Sequence, residues 1–219
     1  YSSDRTGHPR AVYWKPSDGS GSEERLLGSE PHPHVSSWSP DGRTLVYTEF
    51  DPVTSGDIWV LTLGEKVERR PWLRTAFNER AARLSPDGHW LAYVSNESGR
   101  DEVYVQPFPG PGGKWQISVS GGTEPVWSHA GSEIFYRSGD KMMAVRVASG
   151  RGFSAETPHV LFEGRFVPTR RGEAAYDVSP DDRRFVMVQR DVQSVATHLN
   201  VVLNFSEELK RRAPPGKQP

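Results

Sequence analysis

Ser39-Pro40-Asp41-Gly42, followed two residues on by the β-prone run Leu45-Val46-Tyr47, returns three times along the chain. It recurs as Ser85-Pro86-Asp87-Gly88 before Leu91-Ala92-Tyr93, as Ser128-His129-Ala130-Gly131 before Ile134-Phe135-Tyr136, and as Ser179-Pro180-Asp181-Asp182 before Phe185-Val186-Met187. The four serines are 46, 43 and 51 residues apart. One four-stranded propeller blade needs roughly 40–50 residues, whereas most helical and leucine-rich repeats need about 20–35. Proline at the second turn position presets φ for a type I turn, and Asp and Gly suit the positions after it. Period and turn together predict an all-β fold, a β-propeller of four-stranded antiparallel blades.

The turn joins the first two strands of each blade. Innermost strands fall at 35–38, 81–84, 125–127 and 174–178, and second strands on the apolar runs after the turns. Third strands fall at 57–61, 102–105, 142–147 and 199–203, and weaker fourth strands at 68–73, 115–119 and 160–162. Tyr1 lies 46 residues before Tyr47, so the chain begins inside a blade. The reading is a propeller over 1–205, with a partial first blade at 1–30, blades at about 31–76, 77–120 and 121–165, and a last partial blade at 166–205. A polar, Pro-rich tail, 206–219, follows. Three full and two partial blades are expected to belong to a six-bladed ring. An unclosed ring leaves a strand edge open, so self-association through that edge is expected as well. Trp38, Trp59, Trp90, Trp127, Tyr47, Tyr93 and Tyr136 recur at equivalent blade positions and are expected in the core.

Lys and Arg number 27 against 28 Asp and Glu, which gives no electrostatic reason to expect nucleic acid or anionic lipid. No stretch approaches the ~18 apolar residues of a membrane helix, so these residues are not expected to insert in a membrane. The absence of cysteine removes thiolate chemistry and Cys-ligated zinc. His32 and His34 alternate with Pro31 and Pro33 in what reads as a loop without a third ligand, and Asp51 to Asp57 lacks the spacing of a calcium loop. No metal and no cofactor are expected.

The run Leu84-Ser85-Pro86-Asp87-Gly88-His89-Trp90-Leu91-Ala92-Tyr93-Val94-Ser95-Asn96-Glu97-Ser98-Gly99-Arg100 is followed by Glu102-Val103-Tyr104-Val105-Gln106-Pro107-Phe108-Pro109-Gly110. With Gly121-Gly122-Thr123-Glu124-Pro125-Val126-Trp127, it resembles the TolB-type propeller repeats found C-terminal to many bacterial serine/threonine protein kinases. The resemblance runs over nearly the whole chain. It departs at His129-Ala130, where Pro-Asp is usual, and at Asp182 in place of Gly; both read as drift within a blade. The resemblance implies a protein- or peptide-binding module, the sensory or scaffolding part of a receptor-like kinase, on the extracytoplasmic side of the membrane. The alternatives are a propeller gating a prolyl-oligopeptidase-like hydrolase, or a free periplasmic scaffold.

No nucleophile elbow, phosphate-binding loop, kinase His-Arg-Asp or Asp-Phe-Gly motif, or His-Glu-x-x-His motif occurs, and the chain is not expected to be an enzyme. The turn residues Ser39, Pro40, Asp41 and Gly42, Ser85, Pro86, Asp87 and Gly88, and Ser179, Pro180 and Asp181 are expected to be structural, the aspartates accepting N–H bonds in their own turns. Each connection entering an innermost strand carries a glutamate: Glu30, Glu79, Glu124 and Glu173, lying 9, 6, 4 and 6 residues before the turn serine. A ring of these carboxylates at one mouth of the channel, completed by Arg83 and Tyr176, would favour a cationic partner.

Overall fold

The computed structural model describes residues 2–3, 11–28, 33–150, 152–169 and 173–189. Among them all regular structure is β-strand, arranged in five antiparallel sheets that follow one another along the chain. The first holds β1 (Ser2–Ser3), β2 (Ala11–Trp14) and β3 (Glu24–Leu27). The second runs β4 (Pro33–Trp38), β5 (Thr44–Asp51), β6 (Ser55–Thr62) and β7 (Glu68–Leu73) in sequence order. The third repeats this with β8 (Arg80–Leu84), β9 (Trp90–Ser95), β10 (Glu102–Pro107) and β11 (Trp115–Gln116). In the fourth, β12 (Thr123–Trp127), β13 (Glu133–Ser138) and β14 (Lys141–Ala148) come first. The long β14 then pairs with both β15 (Ser154–Ala155) and β16 (His159–Glu163). The fifth consists of β17 (Tyr176–Val178) and β18 (Phe185–Met187).

The three middle sheets are packed on both faces, which is why their second strands read as continuous apolar runs rather than as alternation. Val12 and Leu27 of the first sheet meet Leu45, Tyr47 and Leu61 of the second. Val46, Ile58 and Val60 on the other face of the second meet Ala82, Leu84, Tyr93 and Tyr104 of the third. Val94, Val103 and Val105 then meet Trp127, Ile134 and Tyr136, and Phe135, Met142 and Ala144 meet Tyr176 and Val178. The core is therefore a series of layers between blades. Each fully buried side chain contributes about 1.5–3 kcal/mol.

Every innermost strand of the three middle sheets carries a bulge: at Ser36, at Ala81-Ala82 and at Glu124-Pro125. Ala81 and Glu124 each stand four residues before their turn serine, and both take left-handed backbone, φ 56° and 58°. Three expectations change. Pro33-His34 begins β4 rather than forming a loop, since proline is tolerated as the first residue of a strand. The fourth strand expected over 115–119 stops at Gln116, because Ser118 turns inward to donate to the Glu102 carboxylate. Trp38 is 42 % exposed rather than core. The expected strand at 199–203, the tail 206–219 and Glu30 lie outside the described residues.

Candidate functional site

The Ser-Pro-Asp-Gly turns build one face of the molecule. In the second sheet, Ser39 Oγ donates to Asp41 Oδ1 (2.6 Å) and accepts from the Thr44 N–H (2.8 Å), while Asp41 Oδ1 also accepts the Arg43 N–H (3.0 Å). The same three bonds recur at Ser85 and Asp87 and at Ser179 and Asp181. Hydrogen bonds from Ser39 and Ser179 hold the Asp41 and Asp181 carboxyls below the usual carboxylate range. Where the third turn has lost its Asp, Ser128 Oγ still accepts from Ser132 and Glu133 (3.1 and 3.0 Å). The serine is the pivot of the motif.

Successive turns also touch. A Cβ on Gly88, whose φ is +73°, would sit 3.2 Å from the Pro40 ring, and one on Gly131, at φ +70°, 3.6 Å from the Pro86 ring. At the last turn both partners change together. His129 replaces the proline and so leaves a backbone N–H free to donate, and Asp182, at φ 57°, takes the glycine position. Asp182 Oδ1 accepts the His129 N–H (2.8 Å) and lies 3.1 Å from His129 Nδ1, and Oδ2 accepts the Ala130 N–H (3.1 Å). Burial tends to raise the Asp182 carboxyl, but these donors outweigh it and hold it low. The two departures from the repeat, read as independent drift, are one compensated pair.

Together with the turns, the innermost strands of four consecutive blades line an open cavity of about 460 Å³. Ser37, Arg83, Val126 and Asp177, each two residues before its turn serine, line it, with Trp38 and Trp127 beside them. Two bonds join the blades here. Leu84 N–H donates to Ser37 Oγ (3.1 Å), and the Trp127 indole donates to the Arg83 carbonyl (2.9 Å).

The glutamates do not form the expected acidic mouth. Glu79 is fully buried; Thr75 Oγ1 donates to its Oε1 (2.5 Å), Oε2 has no hydrogen-bond partner among the described residues, and burial pushes its carboxyl up. Glu124 is 1 % exposed and bonds to the next connection. Oε1 accepts the Thr169 N–H (3.1 Å), Oε2 accepts the Ala175 N–H (3.0 Å), and Arg137 Nη1 stands 3.8 Å away. Tyr176 is buried too, its hydroxyl donating to the Glu124 carbonyl (2.8 Å), so it offers a ligand no polar group. Glu173 alone of the described three is substantially exposed, 3.6 Å from His34 Nδ1. Local position in each blade explains the failure: Glu124 falls inside the bulge of β12 and Glu79 at the buried entry to β8, whereas Glu173, at the same offset as Glu79, precedes the short β17 and keeps its exposure. Arg83 remains from the expected site. Sequence reading passed over Ser37 and Asp177 and placed Trp38 in the core; counting two residues back from each turn serine would have found Ser37 and Asp177. Among the described residues no group of three His, Asp or Glu is placed to hold a metal, and no helix is long and apolar enough to cross a membrane.

No protein-family profile matches the sequence, and no curated protein matches it significantly. Solved structures do. TolB from Acinetobacter baumannii superposes with a TM-score of 0.63 at 20 % identity, over 88 % of this chain and 46 % of that one. A structure assigned as TolB from Agrobacterium tumefaciens gives 0.60 at 19 %, over 74 % and 60 %. The fold is a TolB-type β-propeller. The chain spans about half the length of these TolB structures. None of these likenesses links the propeller to serine/threonine kinases. The periplasmic gluconolactonase of Pseudomonas aeruginosa is also similar, with a TM-score of 0.51 at 19 % identity, over 81 % of this chain and 56 % of that one. That likeness overturns the expectation that the chain is not an enzyme, because the motifs whose absence supported it belong to other folds and reactions, while this fold also carries a lactonase.

Proposed function

We propose that this propeller is a binding module that receives a protein or peptide at the cavity between its innermost strands. The observation that carries this reading is the cavity itself, walled by four consecutive blades and tied across them by the Ser37 and Trp127 bonds, so that its shape is held before a partner arrives. On the resemblance of the repeats, the module serves as the sensory or interaction part of a larger bacterial receptor-like kinase on the extracytoplasmic side. A propeller gating a hydrolase and a free periplasmic scaffold are the competing contexts. The test places a photo-crosslinking amino acid at Ser37, in the cavity, and in a control protein at Val53, an exposed loop residue 89 % accessible. A partner captured in the source cells from position 37 and not from 53 supports the reading; equal capture, or none from 37, ends it. The coding sequence on either side of these residues decides the kinase context.

The likeness to a gluconolactonase supports a second reading, in which the same cavity admits a sugar lactone. Hydrolysis of glucono-δ-lactone above the spontaneous rate, lost on filling the cavity with Ser37→Trp, would favour it over binding alone.

A further inference from the structure

We infer that Arg83 makes the cavity a receptor for a carboxylate group, which rests on the binding reading above and names the chemistry of what binds. Its backbone is held from both sides: the Arg83 carbonyl takes the indole N–H of Trp127 from the next blade, and the N–H of the following residue goes to Ser37 Oγ of the previous blade. Its side-chain charge acts on the nearby Tyr176 hydroxyl. Among the described residues the guanidinium has neither an ion-pair nor a hydrogen-bond partner, although it is partly buried and lines the cavity. The two buried arginines among the described residues differ in this respect: Arg80 pairs with Asp101 at 2.5 Å, and Arg137 faces Glu124 and donates to the carbonyls of Val167 and Gly139. At the equivalent position the other blades carry Ser37, Val126 and Asp177, so Arg83 is the one cation of this set.

A guanidinium is a planar fork of donors that matches a carboxylate in two parallel bonds. Its fixed backbone lowers the ordering cost of using that fork, and the walls of Trp38 and Trp127 reduce the competition from water. Asp177 is the counterweight. It shares the cavity without reaching ion-pair distance of Arg83, and one of its oxygens accepts the Val178 N–H (2.9 Å). It therefore sets the affinity for an anion lower than Arg83 alone would.

A carboxylate reaches such a site either as a peptide C-terminus or as a sugar acid. The test titrates the full chain with three probes, acetyl-Gly-Gly-Leu with a free C-terminus, the same peptide amidated, and gluconate, following the indole N–H resonances of Trp38 and Trp127. Saturable shifts are expected with at least one acid and about tenfold weaker binding with the amide. The stronger acid identifies the source. Arg83→Gln is expected to weaken binding by about tenfold or more and Asp177→Asn to tighten it. Arg83→Lys, which keeps the charge without the fork, falls between, and unchanged Trp127 resonances in each free variant show that the cavity is intact. Equal binding of acid and amide, an unaffected Arg83→Gln, or no shift from either acid at millimolar concentration would overturn the inference. Crosslinking at Ser37 would in that case still stand, so failure of the carboxylate reading is separable from failure of the binding reading.

Discussion

Glu79 and Glu124 are both buried, and the donors each one meets decide what its carboxylate does. Glu124 completes two backbone N–H bonds and faces Arg137, so removing it leaves a buried cation and two donors unanswered. Glu124→Ala is expected to cost about 3–5 kcal/mol in urea unfolding. Glu79 accepts one hydroxyl and has an oxygen with no hydrogen-bond partner among the described residues, so Glu79→Gln is expected to leave stability at neutral pH unchanged or higher. The reverse ranking of the two variants would refute this assignment. The turn and the period were legible from sequence because each Ser-Pro-Asp-Gly is self-contained within six residues. The glutamates were not, because their burial depends on a bulge that slips the innermost strand by one residue, and on a connection from the next blade that closes over Glu124.

The turns act as an element because they touch in series, glycine on proline, and the sequence could show each turn but not the contact between them. Asp182 and His129 appear at a distance of 53 residues as two unrelated losses of the motif. In space, each makes the other tolerable. A double-mutant cycle tests the coupling. Asp182→Gly alone removes three interactions with His129 and Ala130 and is expected to destabilise by about 1–2 kcal/mol, less whatever is regained by relieving a left-handed non-glycine residue. His129→Pro alone leaves the Asp182 carboxylate short of a donor. Together they restore the pairing seen at Gly88 on Pro40, and the double variant is expected to be more stable than the sum of the singles predicts. Additive effects would mean that the two changes are independent. Gly88→Ala, which combines a positive φ with a 3.2 Å approach to the Pro40 ring, is expected to lose at least about 1 kcal/mol by the same measurement.

Over the whole molecule, two sets of carboxyls pull the pH dependence of stability in opposite directions. Burial is the largest influence on Glu49, Asp57 and Glu79 and raises all three. Their folded form binds the proton more tightly than the unfolded chain, so their contribution is fully present below the ordinary carboxylate range and is lost as pH rises through the raised values. Asp41, Asp51, Asp181 and Asp182 are held low, and their contribution is present above the ordinary range and lost as pH falls through the depressed values. The urea midpoint is therefore expected to rise as pH is lowered from neutrality toward about 5 and to fall again below about 4. A midpoint that only declines on acidification would show that the buried carboxyls are charged at no cost.

Among the described residues, no layer packs on one face of the fifth sheet. Val186 lies seven residues after its turn serine, where Val46, Ala92 and Phe135 are at most 2 % exposed; it is 68 % exposed. Val188, nine after, is 61 % exposed where Thr48, Val94 and Arg137 are at most 4 %. The earlier blades bury these positions against the blade that follows, so the same apolar face on β18 has the shape and chemistry of an inter-blade surface. A second copy of the chain can cover this face, and because the two valines offer only about 3–6 kcal/mol at full burial, the association should be weak and concentration-dependent. Self-association is therefore expected through the face of the last sheet, where the sequence reading expected a strand edge. Light scattering across a wide concentration range should show mass rising with concentration in the unaltered chain and a constant monomer mass in Val186→Lys/Val188→Glu, whose exposed positions tolerate charge without loss of fold. A monomer at every concentration, or an association that the double variant leaves intact, would remove this face as the interface.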